Sequence, residues 1–311
     1  MYTVDNFING KSDSTSSKSS KIINPSYGND IGEVLYASKE SANTAINAAS
    51  EAFKTWSKTG MSYRAELILK FRQGVIDKST EIVDICIKEA GKTKPDAEAE
   101  LDRAIQALTH ASGIQHFYPA HISRNVAGNI DIADMRYPIG VVAGVGPFNF
   151  PILIPILHSS MALVTGNTHI AKPSEKVPSI SRLYADIYKD VGLPDGCYNV
   201  INGGKDIVEY IVSHQKVDGL AFIGSTNAAR SLKALGVKSN TKVQALGGGK
   251  NHMIVLPDAD LDMAADAAVS ASFGAAGQRC MAVSVVVALS LIHISEPTRQ
   301  EAISYAVFCL K

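Results

Sequence analysis

The chain has 311 residues, 46% hydrophobic and 19% charged, with 30 basic and 30 acidic side chains and a formal net charge of zero. That length can bury a large core and suggests two domains, and the balanced charge excludes the basic footprint by which nucleic-acid binders grip phosphate. No apolar run is long enough to span a bilayer, and residues 1–20 lack the apolar centre of a signal peptide, so a cytoplasmic protein with no membrane partner is expected.

Taken in chain order, Ser12 to Ser20 is serine-rich and polar, and reads as an exposed loop. From Ser38 the apolar residues Ala42, Ala45, Ile46, Ala49, Phe53 and Trp56 recur at helical spacing, and Ile68, Phe71 and Val75 do so in the next segment. A third helix is predicted from about Thr80 to Ala90, stopping at Gly91, and a fourth from about Pro95 to His116. The first third is therefore expected to be mostly helical. Between Phe117 and Pro138 the helical period is lost, and IDIADMRY alternates like a strand, as a projecting arm or subunit-contact ribbon would.

From Ile139 onward short apolar strands alternate with helical segments. Ile139 to Val145, Thr168 to Lys172, Tyr198 to Ile201, Gly219 to Ile223 and Thr241 to Ala245 read as the strands. Such alternation predicts an α/β fold with a doubly wound parallel sheet, which binds ligands beyond the carboxyl ends of its strands. Gly203-Gly204 and Gly224-Ser225 follow strands without forming the GxGxxG fingerprint, so the glycines point to a nucleotide only weakly.

The four cysteines, Cys86, Cys197, Cys280 and Cys309, are too dispersed for a disulfide framework or a CxxC metal site. Cys86 lies on a helix patterned for burial and Cys197 opens a strand, so both read as small core residues. The histidines, His158 and His252 among them, show no metal-ligand spacing; each reads as a satisfied structural residue, and no metal is expected.

Residues 147–178, PFNFPILIPILHSSMALVTGNTHIAKPSEKVP, followed by FIGST (222–226) and GQRC (277–280), resemble the ordered motifs of the aldehyde dehydrogenase superfamily, from about Phe7 to Ala288. DMRYPIGVVAGVGPFNFP, GGGKNH and FGAAGQRCMA are most similar to its methylmalonate-semialdehyde dehydrogenase branch, whose product is an acyl-CoA. The resemblance implies a Rossmann-like NAD-binding domain over 1–117 and 139–246, an oligomerisation arm over 118–138, and the start of a catalytic domain over 247–288. It also implies a homo-oligomer acting on a small semialdehyde, with NAD as cofactor and coenzyme A as acyl acceptor.

Residue by residue, the resemblance makes Cys280 the nucleophile, with Asn149 and the Cys280 backbone N–H as donors to the oxyanion. Arg279 and Arg103 match the branch's two ligands for the substrate carboxylate. Phe148, Lys172, Glu175, Gly224 and Ser225 fall at cofactor positions, and the carboxylate of Glu175 favours NAD by repelling a 2′-phosphate. Hydrolytic members carry a glutamate four positions before the lysine of their ELGGK stretch; here that position is Leu246, which cannot act as a general base. Residues 289–311 resemble no aldehyde dehydrogenase and look like translated sequencing-adapter DNA on a truncated gene, which would deprive Cys309 of meaning. Two other readings follow from these features: a catalytically dead fragment that binds dinucleotide, and a generic hydrolytic aldehyde dehydrogenase.

Overall fold

The computed structural model describes residues 1–16, 18–117 and 120–289, together with the backbone of a strand at 305–309. Apart from Leu289 and that strand, the segment 289–311 read as foreign lies outside the described residues. The chain divides into two units, Met1–Gly247 and Gly248–Lys311.

Five short strands open the first unit: β1 (Tyr2–Val4), β2 (Asn6–Ile8), β3 (Lys11–Asp13), β4 (Ser19–Ile23) and β5 (Asp30–Leu35). They stand beside the helices that, as expected, make up most of the first third. They also trim the polar loop expected over Ser12 to Ser20, since β3 and β4 take both of its ends. Strands this short display no period. The β2–β3 hairpin turns on Asn9-Gly10, with φ of 50° and 76°, the left-handed pair that a two-residue hairpin loop requires.

The helices follow where the apolar spacing places them: α1 (Lys39–Trp56), α2 (Met61–Asp77), α3 (Ser79–Ala90) and α4 (Lys94–Ser112), then the single turn α5 (Ile114–Phe117). Ser38 and Thr93 cap α1 and α4 by accepting from the backbone N–H of Ser41 and Asp96. Gly91, at φ 67°, ends α3 in the left-handed conformation that favours glycine. Along 120–138 the chain forms an antiparallel ribbon of β6 (His121–Ser123) and β7 (Ile132–Asp134), whose residues are all exposed.

The alternating segment is β8 (Val141–Val145), α6 (Leu153–Val164), β9 (Thr168–Lys172), α7 (Ser179–Asp190), β10 (Tyr198–Val200), α8 (Lys205–Ser213), β11 (Gly219–Ile223), α9 (Thr226–Ser239) and β12 (Lys242–Leu246). These strands lie in the order β12-β11-β8-β9-β10-β2-β3, with β8 to β12 parallel and β2 antiparallel on β10. Two cores form. Trp56, Phe71, Leu108, Ile156 and Tyr184 from α1, α2, α4, α6 and α7 fill one, and Ile46, Ile170, Ile211, Leu220 and Leu232 fill the other. The chain walks outward from β8 through β9 to β10 and then returns to lay β11 on the other side of β8. That reversal makes the carboxyl ends of β8 and β11 the topological switch point, beyond which such sheets bind ligands.

His169, on β9, is fully buried, and neither ring nitrogen has a hydrogen-bond partner, which corrects the expectation of a satisfied histidine. Gly144 on β8 leaves room for it: a Cβ there would lie 2.8 Å from His169 Cε1 and 2.8 Å from His158 Nδ1. Burial pushes the imidazole of His169 down to about 3 and that of His158 down to about 4. An unfolded histidine ionises near pH 6.5, so below that pH the unfolded chain binds a proton that folded His169 refuses. Stability is therefore complete above about pH 6.5 and declines as pH falls toward the folded-state value. His169 alone is expected to remove about 2 kcal/mol between pH 7 and pH 5. Urea midpoints of the wild type and His169→Leu at the two pH values check this, and an equal pH dependence in both would contradict it.

The second unit holds β13 (Asn251–Val255) parallel to β14 (Val283–Leu289), α10 (Leu261–Phe273), and β15 (Tyr305–Cys309) antiparallel to β14. Asp260 caps α10 by accepting from the N–H of Met263 at 3.0 Å. No helix among the described residues is long and apolar enough to cross a membrane.

Candidate active site

The first unit presents three loops at the carboxyl edge of its sheet. After β8, the N–H of Gly146 donates to the Lys172 carbonyl at 3.1 Å, and residues 147–151 turn between two prolines that restrict the backbone. Phe148 is exposed at the tip, with the Lys176 ammonium 4.9 Å above its ring, and Asn149 beside it is half-buried. The N–H groups of Ile152 and Leu153, where the loop enters α6, donate to Glu100 Oε1 at 2.8 and 2.9 Å. The other oxygen of Glu100 holds Lys92 Nζ at 2.5 Å in a pair 1% and 7% exposed.

Strand β9 ends on Lys172, whose side chain is 6% exposed and whose Nζ lies 3.3 Å from Oε2 of the more open Glu175. Desolvation pulls the Lys172 ammonium below its usual range, while the charges of Glu175 and Asp206 oppose that pull. An ammonium and a carboxylate so placed can donate to and accept from the vicinal hydroxyls of a ribose. Strand β11 is followed by Gly224, whose N–H donates to the Leu246 carbonyl at 3.1 Å. Ser225 then caps α9, which has no acidic residue in its first turn. Such a helix start is suited to phosphate, because its first N–H groups and its dipole both favour negative charge.

The second unit carries the nucleophile candidate. Ala275, Ala276 and Gly277 stand at φ of 52°, 54° and 71° after α10. The left-handed conformation costs an alanine roughly 1–2 kcal/mol, so this turn is strained. Arg279 folds back on Gly274, where a Cβ would come within 2.7 Å of the guanidinium carbon. Cys280 is exposed, and its carbonyl and that of Ala282 accept from Asn251 Nδ2 at 3.1 and 3.0 Å. Burial pushes the thiols of Cys86 and Cys197 up to about 12, which suits them to packing rather than to nucleophilic attack.

The structure thus brings Phe148, Asn149, Lys172, Glu175, Gly224 and Ser225 to one edge of the first unit and places Arg279 and Cys280 together in the second. Arg103 lies on the exposed face of α4, where its Nη1 donates to Gln106 Oε1 at 3.2 Å. Leu246 is exposed at the end of β12, and its side chain offers no proton acceptor. Sequence reasoning missed Lys92, Glu100 and Asn251. A signal for Glu100 exists, since it shares the buried stripe of Ala97, Leu101, Ala104 and Leu108 on α4. For Asn251 nothing local announces the role.

The chain is 40% identical over 288 residues to a malonate-semialdehyde dehydrogenase of Lacticaseibacillus casei, covering 92% of this chain and 58% of that protein. A malonate-semialdehyde dehydrogenase of Pseudomonas aeruginosa is also 40% identical, over 287 residues, with the same coverage. Among solved structures, a methylmalonate-semialdehyde dehydrogenase of Oceanimonas doudoroffii superposes with a TM-score of 0.90 at 38% identity, over 93% of this chain and 59% of its own. A protein of Sinorhizobium meliloti 1021 described as a methylmalonate-semialdehyde dehydrogenase, complexed with NAD, matches with the same score, identity and coverage. The chain therefore spans about three-fifths of the length of these relatives. The profile of the aldehyde dehydrogenase family matches residues 12–295, reaching into the segment that begins at 289, and the chain belongs to that family.

Proposed function

We propose that the chain carries the dinucleotide edge and the nucleophile of an NAD-dependent, CoA-acylating dehydrogenase for malonate or methylmalonate semialdehyde. One observation carries the reading: Cys280 is exposed on a turn tied down by Asn251, while the buried thiols of Cys86 and Cys197 are driven away from ionisation. The thiolate of Cys280 forms a C–S bond to the aldehyde carbon, and the carbonyl electrons move to oxygen. Asn149 and the Cys280 N–H serve as donors to that oxyanion. NAD, when bound, accepts the hydride as the carbonyl re-forms, which leaves a thioester on Cys280. Lys172 and Glu175 hold the adenosine ribose, with Phe148 and Gly224 lining the same edge, and the start of α9 at Ser225 holds the pyrophosphate. Arg279 and Arg103 take the substrate carboxylate in guanidinium forks. The two semialdehydes differ by one methyl, worth only ~1–3 kcal/mol to a pocket.

With leucine at position 246 no side chain there activates water, so the thiolate of coenzyme A attacks the thioester and releases Cys280 and an acyl-CoA. The exposed apolar residues Ile122, Ile132 and Tyr137 support an oligomer formed through the 118–138 arm. With malonate semialdehyde and NAD, a burst of NADH near one per chain is expected without coenzyme A. Adding coenzyme A is expected to raise the steady-state rate at least tenfold, and a rate indifferent to it would contradict the acylating step. A second reading is dinucleotide binding without turnover; NAD binding with no burst at all would select it.

A further inference from the structure

We propose that Glu100, buried beside Lys92, is the positioning residue of the Asn149 loop, a side-chain oxygen acceptor supplied by α4 that caps α6 and fixes the turn that presents Asn149. The proposal rests on Asn149 acting as an oxyanion donor. Helix α6 begins at Leu153, and its N-cap residue, Ile152, supplies no side-chain cap. The first N–H groups of a helix need acceptors, and a buried helix start without them is costly. Glu100 Oε1 accepts from Ile152 and Leu153 together, bringing its charge to the positive end of the α6 dipole.

The grip on the loop has three further points. Lys92 Nζ neutralises the second oxygen of Glu100 and lies 4.3 Å above the ring of Phe150, the residue after Asn149. The hydroxyl of Tyr184, on α7, donates to the carbonyl of Ile152 at 3.1 Å, so both polar groups of that peptide are held by side chains from separate helices. Asn149 stands three residues from this clamp, between two aromatic neighbours each stacked against a lysine. A buried ion pair is weak evidence for stability, because apolar residues often pack as well in its place, but it can specify one conformation. Here that conformation is the loop on which oxyanion stabilisation depends, and a displacement of about 1 Å suffices to lose the alignment of a catalytic donor.

Two double variants isolate the acceptor from the charge. Lys92→Met with Glu100→Gln keeps a carbonyl oxygen for Ile152 and Leu153, while Lys92→Met with Glu100→Leu removes it; neither strands a charge. Amide exchange in the 311-residue chain is the first readout. In the leucine variant, exchange at Ile152 and Leu153 is expected to rise at least tenfold with β9 unchanged, and in the glutamine variant to stay within about threefold of the wild type. Equal exchange in the two variants would overturn the proposal, with or without turnover. The second readout is NADH formation, where the leucine variant is expected to lose at least tenfold in kcat with KM for aldehyde held within about twofold, and the glutamine variant to recover the rate. Unchanged kcat in the leucine variant, alongside its collapse in Asn149→Ala, would also overturn the proposal. If Asn149→Ala itself turns over normally, it is the role given to Asn149 that fails, and the exchange result alone decides the clamp.

Discussion

Replacing Cys280 by alanine is expected to remove NADH formation, by on the order of 10³-fold or more, because losing a covalent nucleophile closes the route rather than weakening one contact along it. The fold should not notice. Cys280 is exposed on a turn, and a surface substitution of this kind is expected to shift stability by no more than ~0.5 kcal/mol. A urea midpoint equal to that of the wild type, together with lost turnover, is the expected combination. Alkylation gives an independent reading: iodoacetamide is expected to label Cys280 well before Cys86 or Cys197, whose thiols burial pushes up to about 12. Retained turnover in Cys280→Ala would remove the nucleophile from the mechanism.

The second large effect is expected at Asn149. Truncation to alanine deletes a donor that matters most once the carbonyl oxygen becomes an anion, so kcat should fall by about 10²–10³ while KM changes only a few-fold. A rise in KM with kcat unchanged would instead show that Asn149 binds substrate and transition state equally well. Separating the two requires kcat and KM for Asn149→Ala at saturating NAD.

How much of this was legible depends on the length of each signal. Helix α1 was legible because its stripe runs from Ala42 to Trp56 behind a serine cap, and β9 and β11 fell where short apolar runs alternated with helices. The N-terminal strands were not, since three-residue pieces such as β1 and β2 hold no full period, although Asn9-Gly10 was a turn signal open to reading. Lys172 and Glu175 could be named from a motif, yet the burial that depresses the lysine is a property of the packed sheet. His169 reads as an ordinary histidine on a strand, and only the absence of room and partners around it makes it sensitive to pH. Asn251 lies 29 residues from the carbonyl it holds, and Glu100 lies 52 from the amide it caps. Contacts at such separations are made by the fold, and no local pattern encodes them.

The central claim is that Cys280 carries the acyl group between aldehyde and coenzyme A. The chain mixed with malonate semialdehyde and NAD, without coenzyme A, and quenched within the burst should yield a Cys280-containing peptide bearing the acyl thioester, which disappears when coenzyme A is added before the quench. NADH formed in the same mixture with Cys280 unmodified, or an adduct indifferent to coenzyme A, would contradict the account.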